Sequence, residues 1–359
     1  MFGRSSVLSE HDYGLADRLM HRLALGSPAL AELSFDLDQR MSGAAGKAAA
    51  IALRPHVFVA GLARAGTTVL LRALHASGSF RSLTYRDMPF PLAPNLWSRL
   101  AGGRRRAGAA RERAHGDGIH VDTDSPEALE QIFWRVMTGP DYIRRDGLAP
   151  HRPDAAAMLR FQRYVAAILA SGRPGQWRYL SKNNNNILRL PALLGSFPNA
   201  LFLIPFRDPA AHARSLWRQH GHFCALQRRA PFVRTYMDWL VHHEFGLGHR
   251  PYLLGGMLEP ALTPDMPDYW LDAWCRVYAS LAALDDARCR FVCHEDLCAD
   301  PRVWRDLCRR HALDAPAAPG FCAAPPSPGQ QDGFDPARLT GAQALYAALR
   351  ARSCAPPPA

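Results

Sequence analysis

Lysine is nearly missing from this sequence. Of the 43 basic residues only Lys47 and Lys182 are lysines, and the rest are arginines. A single arginine therefore says little about function here, whereas a retained lysine says more. Also missing is a run of about 18 uncharged apolar residues, the length a helix needs to cross a bilayer, so no membrane span is expected. The opening Met1-Phe2-Gly3-Arg4-Ser5-Ser6 lacks the basic-then-apolar pattern of a secretory leader and points to a cytoplasmic protein. Paired CxxC units are absent. The tightest spacing among the eight cysteines, Cys289-x3-Cys293-x4-Cys298, has no suitable histidine set, so no metal is expected. In a cytoplasmic chain such cysteines read as small buried apolar residues.

What is present is a long, basic chain with ample core material. Its 359 residues are 48% hydrophobic and carry a net charge of +11. The length suits a single elaborated α/β domain with insertions. The basic excess fits an anionic ligand, though it would also fit nucleic acid or a membrane surface. Apart from Arg104-Arg105-Arg106 and Arg111-Glu112-Arg113 the charge is dispersed. Those two groups read as a solvated face, so no nucleic-acid partner is expected.

Along the chain, residues 1–54 read as a helical extension, and Arg54-Pro55 marks its end because the residue before proline resists helix. The apolar run Val57-Phe58-Val59 predicts a buried strand, followed by a glycine turn and a helix to about residue 76. Ser125-Pro126-Glu127 has the order of a helix start: cap, proline, acid. Arg178–Lys182, Ala200–Phe206 and Arg290–Cys293 read as further strands, each followed by helical spacing. Beyond Pro316 comes a Pro-rich tail with one late helix over 337–351. Buried strands alternating with helices predict an α/β fold: three layers around a mostly parallel central sheet, with its ligand crevice at the carboxyl ends of the strands. The segments 91–124 and 221–268 interrupt that frame and are expected to shape an acceptor site.

Three chemistry-bearing groups fall at strand ends: Gly61–Thr68, Lys182 and Arg207. The turn Gly61-Leu62-Ala63-Arg64-Ala65-Gly66-Thr67-Thr68 opens a helix, where orphan backbone N–H groups and the helix dipole favour an anion. It resembles a phosphate loop, yet Thr67 stands where nucleotide triphosphatases carry the lysine that reaches the terminal phosphates. The cation comes earlier, as Arg64. That pattern suits a shorter, less charged group than a triphosphate.

These residues resemble the G-x-P-R-S-G-T-T phosphosulfate loop of sulfotransferases that use 3′-phosphoadenosine 5′-phosphosulfate (PAPS), with Ala63 in place of the usual Pro and Ala65 in place of the usual Ser. A second element, Phe202-Leu203-Ile204-Pro205-Phe206-Arg207-Asp208-Pro209-x5-Ser215, is similar to that family's 3′-phosphate motif. Leu180-Ser181-Lys182-Asn183 with Phe197-Pro198-Asn199-Ala200 resembles its "K-x-P … F-P-x-A" segment, with Asn184 where a proline is commoner. Cys293-His294-Glu295-Asp296-Leu297-x2-Asp300-Pro301 resembles a late "Y-E-D-L … P" segment. The resemblance covers roughly residues 55–315 and implies a P-loop-like sulfotransferase fold with helical insertions.

It further implies that residues 61–68 hold the phosphosulfate while Arg207 and Ser215 hold the 3′-phosphate, without a metal. In-line transfer needs charge stabilisation on the moving group, a task for Arg64, the loop N–H groups and Lys182. An acceptor hydroxyl or amine on a small molecule, sugar or lipid needs a general base. Asp87 lies in the region where relatives with a carboxylate base carry it, and His115 and His120 lie where others carry a histidine. Tyr85, Phe90, Trp97, Phe133, Trp134 and Trp217 are candidates for an acceptor pocket. Two other readings remain open at this point: a P-loop phosphotransferase using Mg-ATP, and a non-catalytic basic binding module.

Overall fold

The structure is a computed structural model and describes residues 15–101, 111–112, 120–121, 124–314, 320–322 and 333–354. Strands are numbered in chain order: β1 Val57–Val59, β2 Phe80–Arg81, β3 Arg111–Glu112, β4 His120–Val121, β5 Arg178–Lys182, β6 Leu201–Phe206 and β7 Cys289–Cys293. Five of them form one sheet in the order β2-β5-β1-β6-β7, every pairing parallel. β3 and β4 form a separate antiparallel pair. The α/β architecture with a parallel central sheet is thus as expected.

Alternation along the strands sorts the core into two layers. Phe58, Tyr179, Phe202, Ile204 and Phe206 face one side, where the helices Ala155–Ala170 and Pro267–Ala282 cover them. Val57, Val59, Leu180, Leu201 and Leu203 face the other, against Leu70, Leu71 and Leu74 of the helix Thr67–His75 and Trp304 of the helix Pro301–Arg310. The Phe58 and Phe202 rings stack at 5.0 Å between centroids, fixing β1 against β6. Both terminal regions join this frame. Phe35, from the helix Pro28–Ser42, packs edge-on to Phe133, and Asp38 accepts from Asn95 Nδ2 at 2.9 Å. The late helix, Pro336–Cys354, buries Ala342 and Leu349 in the same core.

One local expectation fails. Ser125-Pro126-Glu127 caps no helix, since the helix there is Gln131–Thr138. Instead Thr84 and Pro126 form an isolated bridge, Glu127 N donates to Leu83 O and Tyr85 N to Ser125 O. Pairing with the 83–85 backbone overrides the capping preference, as tertiary contacts do with a weak local signal. Gly43 to Ala50, which reads in the sequence as a loose connection, lies largely in a short 3₁₀ turn, Ala44–Lys47, running into the helix Ala48–Ala52. Among the described residues no helix is long and apolar enough to cross a membrane.

Candidate active site

The carboxyl ends of β5, β1 and β6 lie side by side, and the register says how closely. Val59 pairs with both Lys182 and Leu203, so the loop leaving β1 runs between the ends of β5 and β6. Asn183 N extends the ladder to Val59 O at 3.2 Å, and Ala60 N does so to Leu203 O at 3.0 Å. Gly61 then falls level with Pro205. A Cβ on Gly61 would lie 3.1 Å from the Pro205 carbonyl oxygen, which is why the chain has glycine there. Pro205 is tolerated inside the sheet because β1 has ended, so no partner on that side asks for its missing N–H.

Gly66 closes the loop with φ 90°, and a Cβ on it would sit 2.9 Å from His294 Nδ1. The helix Thr67–His75 starts at once, with Gly66 as N-cap and no side-chain cap. Gly66 offers no capping side chain at this helix start, a geometry that suits an anion. Arg64 takes the left-handed φ of 69°, rare for a residue with a side chain, and donates from Nε to Ser215 Oγ at 3.1 Å. The structure thus brings Arg64 and Ser215, expected at opposite ends of one nucleotide, into contact.

Arg207 leaves β6, and Asp208 caps the helix Pro209–Arg229 by accepting from Ala211 N at 2.9 Å. Arg207 Nε is buried and makes no hydrogen bond; the nearest carboxylate oxygen, Glu295 Oε1, is 3.9 Å away. Glu295 is already occupied, accepting from Asp208 N at 3.0 Å and Tyr346 Oη at 3.2 Å. Gln343 donates to Asp208 at 3.0 Å. The late helix, which sequence reading left without a role, therefore braces the Arg-Asp-Pro turn.

Two histidines also went unassigned. His212 is fully buried, its Nε2 is 2.8 Å from the Ala63 carbonyl, and burial pushes its pKa down to about 3. His294, against Gly66, is likewise shifted down, first by burial and then by Arg207. The signal for His212 was its place one helical turn before Ser215, hence on the same face.

Lys182 is half-buried at the end of β5, beside the loop. Asp87 is elsewhere in kind. Its Oδ1 accepts from Arg81 Nη2 at 2.7 Å, and its Oδ2 from Thr84 N at 2.7 Å and Thr84 Oγ1 at 3.2 Å. With both oxygens so engaged and 6% exposure, Asp87 anchors the 3₁₀ turn Tyr85–Asp87. His115 lies outside the described residues, and His120 is described only as a residue of β4.

Beneath Lys182 is a buried polar network that the sequence did not announce. Glu130, 2% exposed, accepts from Trp134 Nε1 at 3.0 Å, Tyr179 Oη at 2.9 Å, Asn186 Nδ2 at 2.9 Å and Ser181 Oγ. Arg189, 0% exposed, bonds Gln131, Asn186 and His151 and lies over the Trp134 ring at 4.8 Å. Burial lowers its pKa to about 10. Of the aromatic candidates, Phe133 and Trp134 are core, and Tyr85 Oη is bound to Glu127 at 2.6 Å. The Trp217 indole N–H reaches the Asp265 carbonyl at 2.9 Å. Phe90 and Trp97 line an apolar groove of about 320 Å³ with Leu23, Leu30, Leu33 and Leu100. Among the described residues no cluster of His, Cys, Asp and Glu is placed to hold a metal ion.

The chain matches the model of the "Sulfotransferase family" over residues 55–247, just over half its length. Among solved structures it is similar to sulfotransferase STF1 from Mycobacterium tuberculosis H37Rv, with 17% identity, 96% of this chain and 88% of that one covered, and a TM-score of 0.46. It is also similar to sulfotransferase STF9 from Mycobacterium avium, at 16% identity, 82% and 76% coverage, and a TM-score of 0.45. A third is a sulfotransferase from Alicyclobacillus acidocaldarius, at 15% identity, 84% and 94% coverage, and a TM-score of 0.39. No curated protein matches. The matched segment holds the glycine loop, Lys182 and the Arg-Asp-Pro turn with Ser215, and the chain belongs to the sulfotransferase family.

Proposed function

We propose that this sulfotransferase takes its sulfonate from PAPS and passes it to a hydroxyl or amine of a small-molecule, sugar or lipid acceptor. The observation that carries the reading is the buried Arg207 Nε, which makes no hydrogen bond and lies at a strand end, with Ser215, the partner of Arg64, about two turns into the helix that follows. A buried guanidinium nitrogen without a partner is costly, and a phosphate oxygen is the partner its geometry suits. The backbone cradle at Gly61–Thr68 offers a second anion position. Two separated anion positions fit a nucleotide with a 3′-phosphate and a 5′-phosphosulfate better than one linear triphosphate.

When bound, that donor supplies a sulfonate already activated on a phosphate leaving group. In this reading Arg207 and Ser215 hold the 3′-phosphate. Gly61, Leu62, Ala63, Arg64, Ala65, Gly66, Thr67 and Thr68 form the cradle for the phosphosulfate. Arg64 and Lys182 offset charge as it develops. Proton removal from the acceptor is assigned to Asp87, whose carboxylate also holds its turn through Arg81 and Thr84, or to His115 or His120.

Adenosine 3′,5′-bisphosphate tests the reading without knowledge of the acceptor. It is expected to bind and raise the melting temperature, and Arg207→Ala to weaken that binding by about 2–5 kcal/mol, the range for removing one partner of a buried charge pair. A wild-type protein stabilised by Mg-ATP but not by the bisphosphate would replace this reading with phosphoryl transfer.

A further inference from the structure

The helix Pro209–Arg229 grips the glycine loop at two consecutive residues. His212 and Ser215 stand three residues apart on it and so share a face. His212 Nε2 is 2.8 Å from the Ala63 carbonyl oxygen, and Ser215 Oγ accepts from Arg64 Nε at 3.1 Å. A carbonyl only accepts, so the imidazole proton is on Nε2. Between the two grips lies the Arg64 backbone at φ 69°, a conformation a residue with a Cβ holds only when its surroundings impose it.

The histidine is an expensive way to fill this space. It is 0% exposed and its Nδ1 makes no hydrogen bond. A leucine would cover the same surface without burying an unpaired nitrogen. What the imidazole adds is one bond, and that bond ends on the loop. Ala63 has no ring to fix its φ, and the turn bond from Ala65 N to Leu62 O is long at 3.4 Å, so a bond to the Ala63 carbonyl from outside the loop adds to its order.

We propose that His212 is a positioning residue for the phosphosulfate loop: by holding the Ala63 carbonyl it keeps Arg64 left-handed and the N–H groups of residues 64–68 converged on the anion. The assignment rests on the donor reading above. Because the same helix carries Ser215, the two halves of the nucleotide site are set by one rigid element.

The test compares wild type with His212→Leu, His212→Gln and His212→Asn. A glutamine amide N–H reaches the place of Nε2, whereas an asparagine amide reaches only that of Nδ1. In calorimetric titration with adenosine 3′,5′-bisphosphate, Leu and Asn are expected to lose about tenfold in affinity, the size of one hydrogen bond, while Gln stays near wild type. Hydrogen exchange of the 61–68 backbone without ligand is expected to be faster in Leu and Asn than in Gln. Equal affinity and equal loop exchange in the folded Gln and Asn variants would overturn the proposal, and this pair decides even where His212→Leu does not fold. Should wild type fail to bind the bisphosphate, the donor reading falls instead, and the exchange of the loop still decides whether His212 holds it.

Discussion

The two sides of the strand-end crevice treat their polar groups differently. On the β5 side most buried groups satisfy one another, Asn184 Oδ1 being an exception: Glu130 collects donors from Trp134, Tyr179, Ser181 and Asn186, and Asp87 is held by Arg81 and Thr84. Even Arg189 Nη2, which makes no hydrogen bond, belongs to a guanidinium that lies over aromatic rings. On the β1–β6 side Arg207 Nε has only a carboxylate oxygen at 3.9 Å that is itself in use. The two sides thus differ in how fully their buried polar groups are satisfied. A closed network specifies one backbone conformation, whereas a buried donor without a partner keeps its free energy for a ligand.

Substitutions on the two sides should therefore fail in different ways. Glu130→Ala leaves several buried donors and Arg189 without their anion, and it is expected to lower stability by about 3–5 kcal/mol in urea denaturation. A small loss there would mean that the network is looser than it is drawn. Arg207→Ala should do the opposite. Its cost is in nucleotide affinity, while ligand-free stability changes by about 1 kcal/mol or less, as for a weak, partly exposed ion pair. A ligand-free melt that falls as far as the Glu130 variant's would erase the distinction.

Acid provides a third probe. His56 and His212 are fully buried, and burial pushes their pKa values down to about 4 and about 3. Below the unfolded value of 6.5 the unfolded chain binds protons that the native chain refuses, so stability falls as pH drops. Each histidine contributes at most about 1.4 kcal/mol per pH unit from 6.5 down to its folded value. His212→Gln should remove one share of that slope, measured as urea midpoints between pH 7 and 5. An unchanged slope would show that His212 is not held neutral.

The smallest effect concerns the loop itself. Ala65 is fully buried and occupies the place where the family pattern has serine. Ala65→Ser is expected to tighten bisphosphate binding by about 0.5–1.5 kcal/mol, one added hydrogen bond. Weaker binding would mean that its hydroxyl has no partner there and that the donor side, too, is closed at this residue.

Much of the β1–β6 side was legible in the sequence. Gly61, Gly66 and the Thr67-Thr68 pair mark a strand-turn-helix, because glycine spacing and β-branched runs are local signals that few other structures use. Arg207-Asp208-Pro209 likewise marks a strand end passing into a helix, with the acid as cap and the proline first inside. The β5 side was far less legible. The family resemblance makes Asp87, beside His115 and His120, a candidate base, and it says nothing of Arg81 and Thr84, which hold the Asp87 oxygens. Ser125-Pro126-Glu127 carries every cue of a helix start and forms none, because Leu83 and Tyr85 claim its backbone.

By itself, then, the sequence determined the alternation of strands and helices, the parallel sheet and the turns at Gly61–Thr68 and Arg207–Pro209. Periodicity, proline and glycine act within a few residues and leave their mark in any single chain. The tertiary structure alone decided which side chains meet across long separations: His212 with Ala63, Arg64 with Ser215, Glu295 with the Arg207 turn, and Gln343 with Asp208. Such pairs depend on register and on which helix covers which strand end. A buried histidine or glutamate shows its partner only once the strands are laid side by side.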